Sequence, residues 1–353
     1  MRIEVGLAAA CVLLGCAGDT RVSRDCTGPS GPADSSYHVT VSTVQAPCSI
    51  EFARHFALQT EEQNVSDYSA PMVLLSSGEL VTRSSIRDRL SVWTAEGQPS
   101  RFVGRSGSGP GEFNYVAAIY RDGYDTLHVG DMPGRWHVYD SELRYVRTNS
   151  QLLNEWNDTA FLEDGRVLTG RNSGFPDGPL FFVLDRDGRI VSSFGRALHP
   201  NENRRIAYAG DGTFWTVLPT RYAVERWSLQ GERQATITRD ADWFPPSDAG
   251  RAWYPSTGQP NITRLILDDR RRLWVVSAIP VGNDRTSSPS DAWDWVVEVF
   301  DTSTGALLAS ERHDSPEAVP VGRLQDGRFY TLLELEDGTY SAAVGDFSLA
   351  PVR

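Results

Sequence analysis

The segments LSSGELVTRSSIRDRLSVWTAEGQPSRFVG (75–104) and LEDGRVLTGRNSGFPDGPLFFVLDRDGRIVSSFG (162–195) are two copies of one pattern. Each opens on a polar turn with glycine and runs through a short β-rich stretch, a polar loop and a second β-rich stretch. Each then turns again at a glycine before a last strand. The second turn reads TAEG in one copy and DRDG in the other. Glu-Gly and Asp-Gly tips between apolar runs mark hairpins, because glycine supplies the positive φ that a tight turn needs.

The unit recurs along the chain. Its second strand begins near Leu80, Leu127, Val167, Phe214, Leu273 and Phe329, at spacings of 47, 40, 47, 59 and 56 residues. The first three spacings match the blade length of β-propellers. The two longer ones contain WFPPSDAGRAWYPSTGQP (243–260) and IPVGNDRTSSPSDAWD (279–294), whose Pro, Ser and Gly content reads as loop. Outside the N-terminal apolar run, no window keeps a helical period. The expected fold is all-β, a six-bladed β-propeller of four-stranded antiparallel blades.

A propeller has to close, because open end blades present unpaired edges. The last repeat supplies only three strands, near 319–324, 328–333 and 340–346, and the stretch SIEFARHFAL (49–58) has no blade of its own. That stretch is expected to be the outer strand of the sixth blade, so that an N-terminal strand closes the ring.

The N-terminus reads as an address. VGLAAACVLL (5–14) is apolar but too short to span a bilayer as a helix, and it suits the core of a signal peptide. It ends in Leu13-Leu14-Gly15-Cys16, which resembles the bacterial lipobox, where the cysteine is acylated and becomes the new N-terminus. Residues 1–15 are then a signal peptide, 16–36 a lipidated polar tether, and 37–353 a single propeller domain. No Asp directly follows Cys16, so outer-membrane placement is favoured, facing the periplasm or the cell surface. With Cys11 removed and Cys16 lipidated, Cys26 and Cys48 remain in an oxidising compartment. A disulfide between them would pin the N-terminal arm.

The formal net charge is -12, and the chain contains no lysine. An acidic surface repels phosphate backbones, so nucleic acid is not an expected partner, and membrane contact is expected through the lipid anchor only. Schiff-base chemistry and a P-loop lysine are excluded.

Two further stretches carry a resemblance. The first is LHVGDMPGRWHVYD (127–140), with Asp131, Gly134, Arg135 and Asp140 at a strand, Asp, Gly-bearing turn, basic residue and aromatic-Asp ending. The second is FVGRSGSGPGEF (102–113), a linker between blades. Over roughly residues 50–350 the chain resembles the NHL-like six-bladed propeller lipoproteins of bacteria, most clearly in its first three repeats. In the later repeats Leu218, Ser277 and Glu334 stand near the place of the turn Asp. The resemblance implies the fold and, loosely, a role in binding.

No G-x-S-x-G elbow, HExxH pair or phosphate loop occurs, and no cofactor or metal is expected. His128 and His137 lie on adjacent strands, where they are expected to pack across the sheet. Propeller linkers and the loops between second and third strands share one face. Here they hold Arg83, Arg135, Trp156, Arg171, Arg221, Tyr222, Trp243, Trp253, Tyr254, Trp293 and Trp295. Trp, Tyr and Arg are enriched at binding hot spots, so this face is the expected site for a protein, peptide or glycan partner. The alternative is a metal-dependent periplasmic hydrolase of the lactonase type, or a lyase, working in the central channel. Its ligand set by position would be Asn114, Asp158, Asn261 and Glu317.

Overall fold

The computed structural model describes residues 26, 36–42, 45–59, 71–86, 88–132, 134–149, 158–170, 178–196, 203–245, 259–281, 293–336 and 340–352. Turn chemistry sets the first level of order. Asp140, Asp185 and Asp268 each use Oδ1 to accept backbone N–H groups two and four residues ahead, at 2.8–3.0 Å. These Asx turns fold the chain back on itself between strands. In the turns LSSG (75–78) and DRDG (185–188) the glycine takes φ near +80°, which a side chain would oppose.

Three four-stranded antiparallel meanders follow one another. The first is Met72–Leu74, Leu80–Arg83, Leu90–Trp93 and Pro99–Val103. The second is Val116–Arg121, Leu127–Asp131, Arg135–Tyr139 and Tyr145–Asn149. The third is Thr159–Phe161, Val167–Gly170, Phe181–Leu184 and Ile190–Phe194. In all three the middle strands are almost wholly buried and the fourth strand is mostly exposed.

The fourth sheet, Arg205–Tyr208, Thr213–Val217, Ala223–Ser228 and Arg233–Arg239, gains a fifth strand. Tyr37–Val41 pairs in parallel with Arg233–Arg239 along the outer edge. The sequence gives no turn signal for a parallel pairing, so this strand was not expected. Arg105–Ser106 and Glu112–Phe113 form a separate two-stranded parallel pair, and eight further strands among the described residues form one sheet. Asn261–Leu267, Arg272–Pro280, Trp293–Asp301 and Leu307–His313 are followed across the sheet by Cys48–Ala57, Tyr340–Pro351, Phe329–Glu334 and Gly322–Arg323. Cys48–Ala57 runs antiparallel to Tyr340–Pro351, from Cys48 opposite Pro351 to Ala57 opposite Ala343. It meets the neighbouring group of strands at one point, Cys48 beside Ala309.

The sheets pack face to face in succession. Val81, Leu90 and Val92 of the first meet Val116, Ile119 and Leu127 of the second. The second meets the third through Tyr120 and His128 against Phe161, with ring centroids 5.6 and 4.5 Å apart. Further seams join the third to the fourth and the fourth to the strands that follow. Leu80 and Trp93 of the first sheet pack on Leu332 and Val344 of the last strands. Sheets that succeed one another in this way and return to the first make a β-propeller. The Cys26–Cys48 disulfide is present, with an S–S distance of 2.02 Å, among the buried side chains around Trp274 and Phe347.

Two local readings are corrected. The segment 279–294 begins and ends as strand, because Ile279 pairs with Asp294 and Pro280 with Trp293 at the top of a hairpin of two nine-residue strands; residues 282–292 lie outside the described residues. His128 and His137 do not face each other. His128 stands opposite Val138 and His137 opposite Val129, and adjacent positions on a strand project to opposite faces. His128 Nε2 lies 3.1 Å from Asp122, while His137 Nδ1 lies 3.0 Å from the Thr148 hydroxyl.

Candidate ligand cavity

The first strands of the meanders, Met72–Leu74, Val116–Arg121, Thr159–Phe161, Arg205–Tyr208, Asn261–Leu267 and Gly322–Arg323, all contribute to the wall of one cavity of about 840 Å³. That lies in the range of small-molecule sites. Each first strand enters from a linker and leaves through a hairpin, so the cavity has a linker end and a hairpin end. At the hairpin end a second pocket of about 420 Å³ shares Phe161, Tyr208, Leu267 and Arg323 with it. Carboxylates line that second pocket at Glu163, Asp268 and Asp269, with Arg271 beside them.

Arginine dominates the charge of the main wall. Arg83, Arg121, Arg205, Arg264 and Arg323 line it, against the carboxylate of Asp158. Each guanidinium reaches across a seam. Arg83 donates to Val116 O at 3.2 Å and Arg121 to Leu74 O at 3.1 Å, which clasps the first two sheets from both sides. Arg264 donates to Val321 O at 3.0 Å, and Arg323 to Leu267 O at 3.4 Å, in a second reciprocal clasp. Arg205 donates to Asp158 Oδ1 at 3.1 Å, and the Ile206 N–H donates to Asp158 Oδ2 at 3.2 Å. A guanidinium is a rigid, planar fork of five donors, so such a clasp fixes its orientation.

At the hairpin end Arg121 pairs with Asp125 and Arg323 with Asp269. At the linker end Arg83, Arg205 and Arg264 share the wall with the Asp158 carboxylate among the described residues. Two buried atoms at this end, Arg205 Nε and Asn261 Oδ1, meet no hydrogen-bond partner in the protein. Tyr120 and Tyr330 add neutral hydroxyls, since burial holds both phenols above their ordinary pKa. The Tyr330 hydroxyl accepts the Met72 N–H at 3.3 Å.

Of the residues singled out in the sequence, Arg83 lies in this wall. So do Asp158 and Asn261 of the alternative metal set. The other two members of that set lie elsewhere: Asn114 donates its backbone N–H to Asp131, and Glu317 is exposed on a single 3-10 turn. Among the described residues no three of His, Cys, Asp and Glu come together as a metal group.

Arg135 pairs with Asp131 and donates to Ser108 O at 2.6 Å, which holds the SGSGPG turn in place. Burial raises the Asp131 carboxyl against the pull of Arg135, and burial lowers the His137 imidazole beside it. Tyr222 is buried and donates to Glu298 Oε2 at 2.6 Å. Trp243 stands edge-on to Tyr222 at 6.0 Å. Trp295 is buried and Trp293 partly so, both in the cluster around Trp274. Arg221 is exposed on its turn. Trp156, Arg171, Trp253 and Tyr254 lie outside the described residues, as does Cys16.

Sequence reasoning missed Arg121, Arg205, Arg264 and Arg323. Their signal was an arginine in the short first strands YRDG, RRIAY, ITRLIL and GRLQDG, which alignment on the stronger second strands passes over.

No family model matches the chain, and no curated protein matches it. Among solved structures, a member of the DUF4221 family from Bacteroides vulgatus is similar, with a TM-score of 0.63 and 11% identity. The likeness covers 85% of this chain and 99% of that one. A putative exported protein from Bacteroides fragilis is similar with a TM-score of 0.57 and 13% identity, over 90% of this chain and 99% of that one. At such identities the likeness is one of fold.

Proposed function

We propose that this chain is a ligand-binding propeller of the bacterial cell envelope, and that the ligand sits in the central cavity. The observation that carries this reading is the convergence of the first strands on one polar, arginine-rich cavity of about 840 Å³. The ligand is a small molecule, or the part of a protein, peptide or glycan partner that enters from the linker end. Much of the aromatic set read as a loop-face site instead supports the body of the protein. Tyr222 and Trp295 are buried, and Trp243 packs on Tyr222. The hydrolase or lyase reading has less support, because only Asp158 and Asn261 of its expected set share the wall.

The finer architecture belongs to the same proposal. The eight-stranded sheet divides into two groups of four whose strands pair with each other only where Cys48 meets Ala309, which makes six blades of four strands, the fourth with Tyr37–Val41 added at its edge. Cys48–Ala57 is then the outer strand of the sixth blade, and this N-terminal strand closes the ring. The NHL-like pattern around Asp131 and Arg135 fits that architecture. The propeller domain spans 37–353, held to the outer membrane by acylated Cys16 through the tether 16–36. Cys16→Ser is expected to move the chain from the membrane fraction to the soluble fraction of its cells. Retention of the variant in the membrane would refute the anchor.

Ala117 lines the cavity, and Ala117→Trp would fill it without removing a polar group. Thermal unfolding with a panel of muropeptides, oligosaccharides and small organic acids tests the reading. At least one compound is expected to raise the melting temperature of the wild type and leave Ala117→Trp unchanged. Equal stabilisation of both proteins would place the site elsewhere.

A further inference from the structure

We infer that the linker end of the cavity binds a neutral sugar, held by Asp158, Arg205 and Asn261. This rests on the cavity being the ligand site. The residues at which the first strands enter the wall carry it. On three successive first strands they are Asp158, just before Thr159–Phe161, then Arg205 of Arg205–Tyr208, then Asn261 of Asn261–Leu267. These strands pack side by side, so the three residues form one polar arc. The other three entries are Val321, Pro71 and Tyr115, with Met72 and Met132 in the wall beside them. The ring of entries is therefore polar on one side and mostly apolar on the other.

The three polar side chains share a shape. Each ends in a planar group with more than one polar atom: a carboxylate, a guanidinium and a carboxamide. Such a group meets two neighbouring hydroxyls of a sugar at once, because each hydroxyl both donates and accepts. Charge points the same way. Arg205 Nη1 donates to Asp158 Oδ1 at 3.1 Å, so these two charges offset each other, and Asn261 adds none. A small ion would have to compete with a partner already in place, whereas a hydroxyl can bond either member of the pair.

Hydrogen-bonding capacity in the arc is left over. Arg205 Nε, a donor, and Asn261 Oδ1, an acceptor, are both buried and unmet by the protein, although buried polar atoms are ordinarily paired. No hydrogen bond pins Asn261 Oδ1, and the amide torsion is soft, so a turn of the carboxamide presents it to a ligand hydroxyl. A sugar also has an apolar C–H face, which suits Met72, Met132 and Val321 on the other side of the cavity. The volume of about 840 Å³ accommodates a mono- or disaccharide.

Isothermal titration of the mature, disulfide-bonded chain with glucose, galactose, N-acetylglucosamine, maltose and cellobiose tests the inference, with citrate and dialanine as charged comparisons. At least one sugar is expected to bind, with an affinity that hardly changes as salt rises. Ala117→Trp is expected to abolish the binding. Asn261→Leu is expected to weaken it about tenfold or more and to leave the melting temperature unchanged or higher, because Oδ1 has no bond in the protein to lose. Arg205→Lys keeps a charge for Asp158 but removes the planar fork, and is expected to weaken binding to a similar degree. Should Arg205→Lys fail to fold, Asn261→Leu decides the matter. Sugar binding that is lost in Ala117→Trp but unaffected by Asn261→Leu would overturn the arc as the sugar site and leave the cavity reading standing. Citrate or dialanine bound in place of every sugar, and lost in Ala117→Trp, would do the same to the sugar inference as a whole. Sugar binding that survives Ala117→Trp would overturn both. Absence of binding by all five sugars at millimolar concentration would overturn the inference alone.

Discussion

Glu298→Ala is expected to destabilise the protein by about 3–5 kcal/mol, read as a lower urea midpoint by circular dichroism. Glu298 is 0% exposed, and each of its oxygens is engaged. Oε1 accepts from Arg239 Nε at 2.9 Å and from Ser310 Oγ at 3.0 Å, while Oε2 accepts from the Tyr222 hydroxyl at 2.6 Å. Arg239, 7% exposed, also donates to Val41 O at 2.9 Å and to Asp240 O at 3.0 Å. One carboxylate thus ties the fourth sheet, the strand group after it and the parallel strand Tyr37–Val41. Burial, reinforced by the Glu298 charge, holds the Tyr222 phenol well above its ordinary pKa, so it is a neutral donor. Removing the carboxylate strands a buried guanidinium and a buried hydroxyl, and the cost arises from these orphans. The double variant Glu298→Met, Arg239→Met is therefore expected to recover most of the loss. A cost below about 1 kcal/mol for Glu298→Ala would mean that the network does not hold the seam.

Opening the Cys26–Cys48 bridge is expected to cost about 3 kcal/mol, from the entropy that the link removes from the unfolded chain across a separation of 22 residues. Both half-cystines are buried beside Trp274 and Phe347. The bridge acts at a junction, since Cys48 begins the strand that pairs with Tyr340–Pro351 and also touches Ala309 of the adjoining group. Amide exchange is expected to quicken first in Cys48–Ala57 in the Cys26→Ser, Cys48→Ser variant. The first three sheets are expected to keep their protection. An unchanged urea midpoint under reducing and oxidising conditions would contradict this role for the bridge.

The fold was legible where local chemistry fixes it. Leu80, Leu127, Val167, Phe214, Leu273 and Phe329 all lie in second strands, because Gly and Asp turns mark the hairpins on either side. The pairing of Cys26 with Cys48 followed from compartment and elimination. What stayed hidden depends on distant partners. Tyr37–Val41 joins an edge in parallel, which leaves no turn to read. Tyr222 and Trp295 were assigned to loops by the composition of nearby inserts. They stand next to or within strands, and the seams between sheets bury them. The cavity arginines escaped notice because a two- to seven-residue first strand shows little periodicity, and their clasps form only when neighbouring sheets meet.

The most direct test of the central cavity uses methionine. The chain has three methionines, and two of them, Met72 and Met132, line the cavity wall. With ¹³C-methyl methionine, a compound that raises the melting temperature of the wild type is expected to shift the Met72 and Met132 resonances in the wild type and to leave them in place in Ala117→Trp. Resonances that stay fixed while calorimetry reports that compound bound would show that the ligand sits outside the cavity.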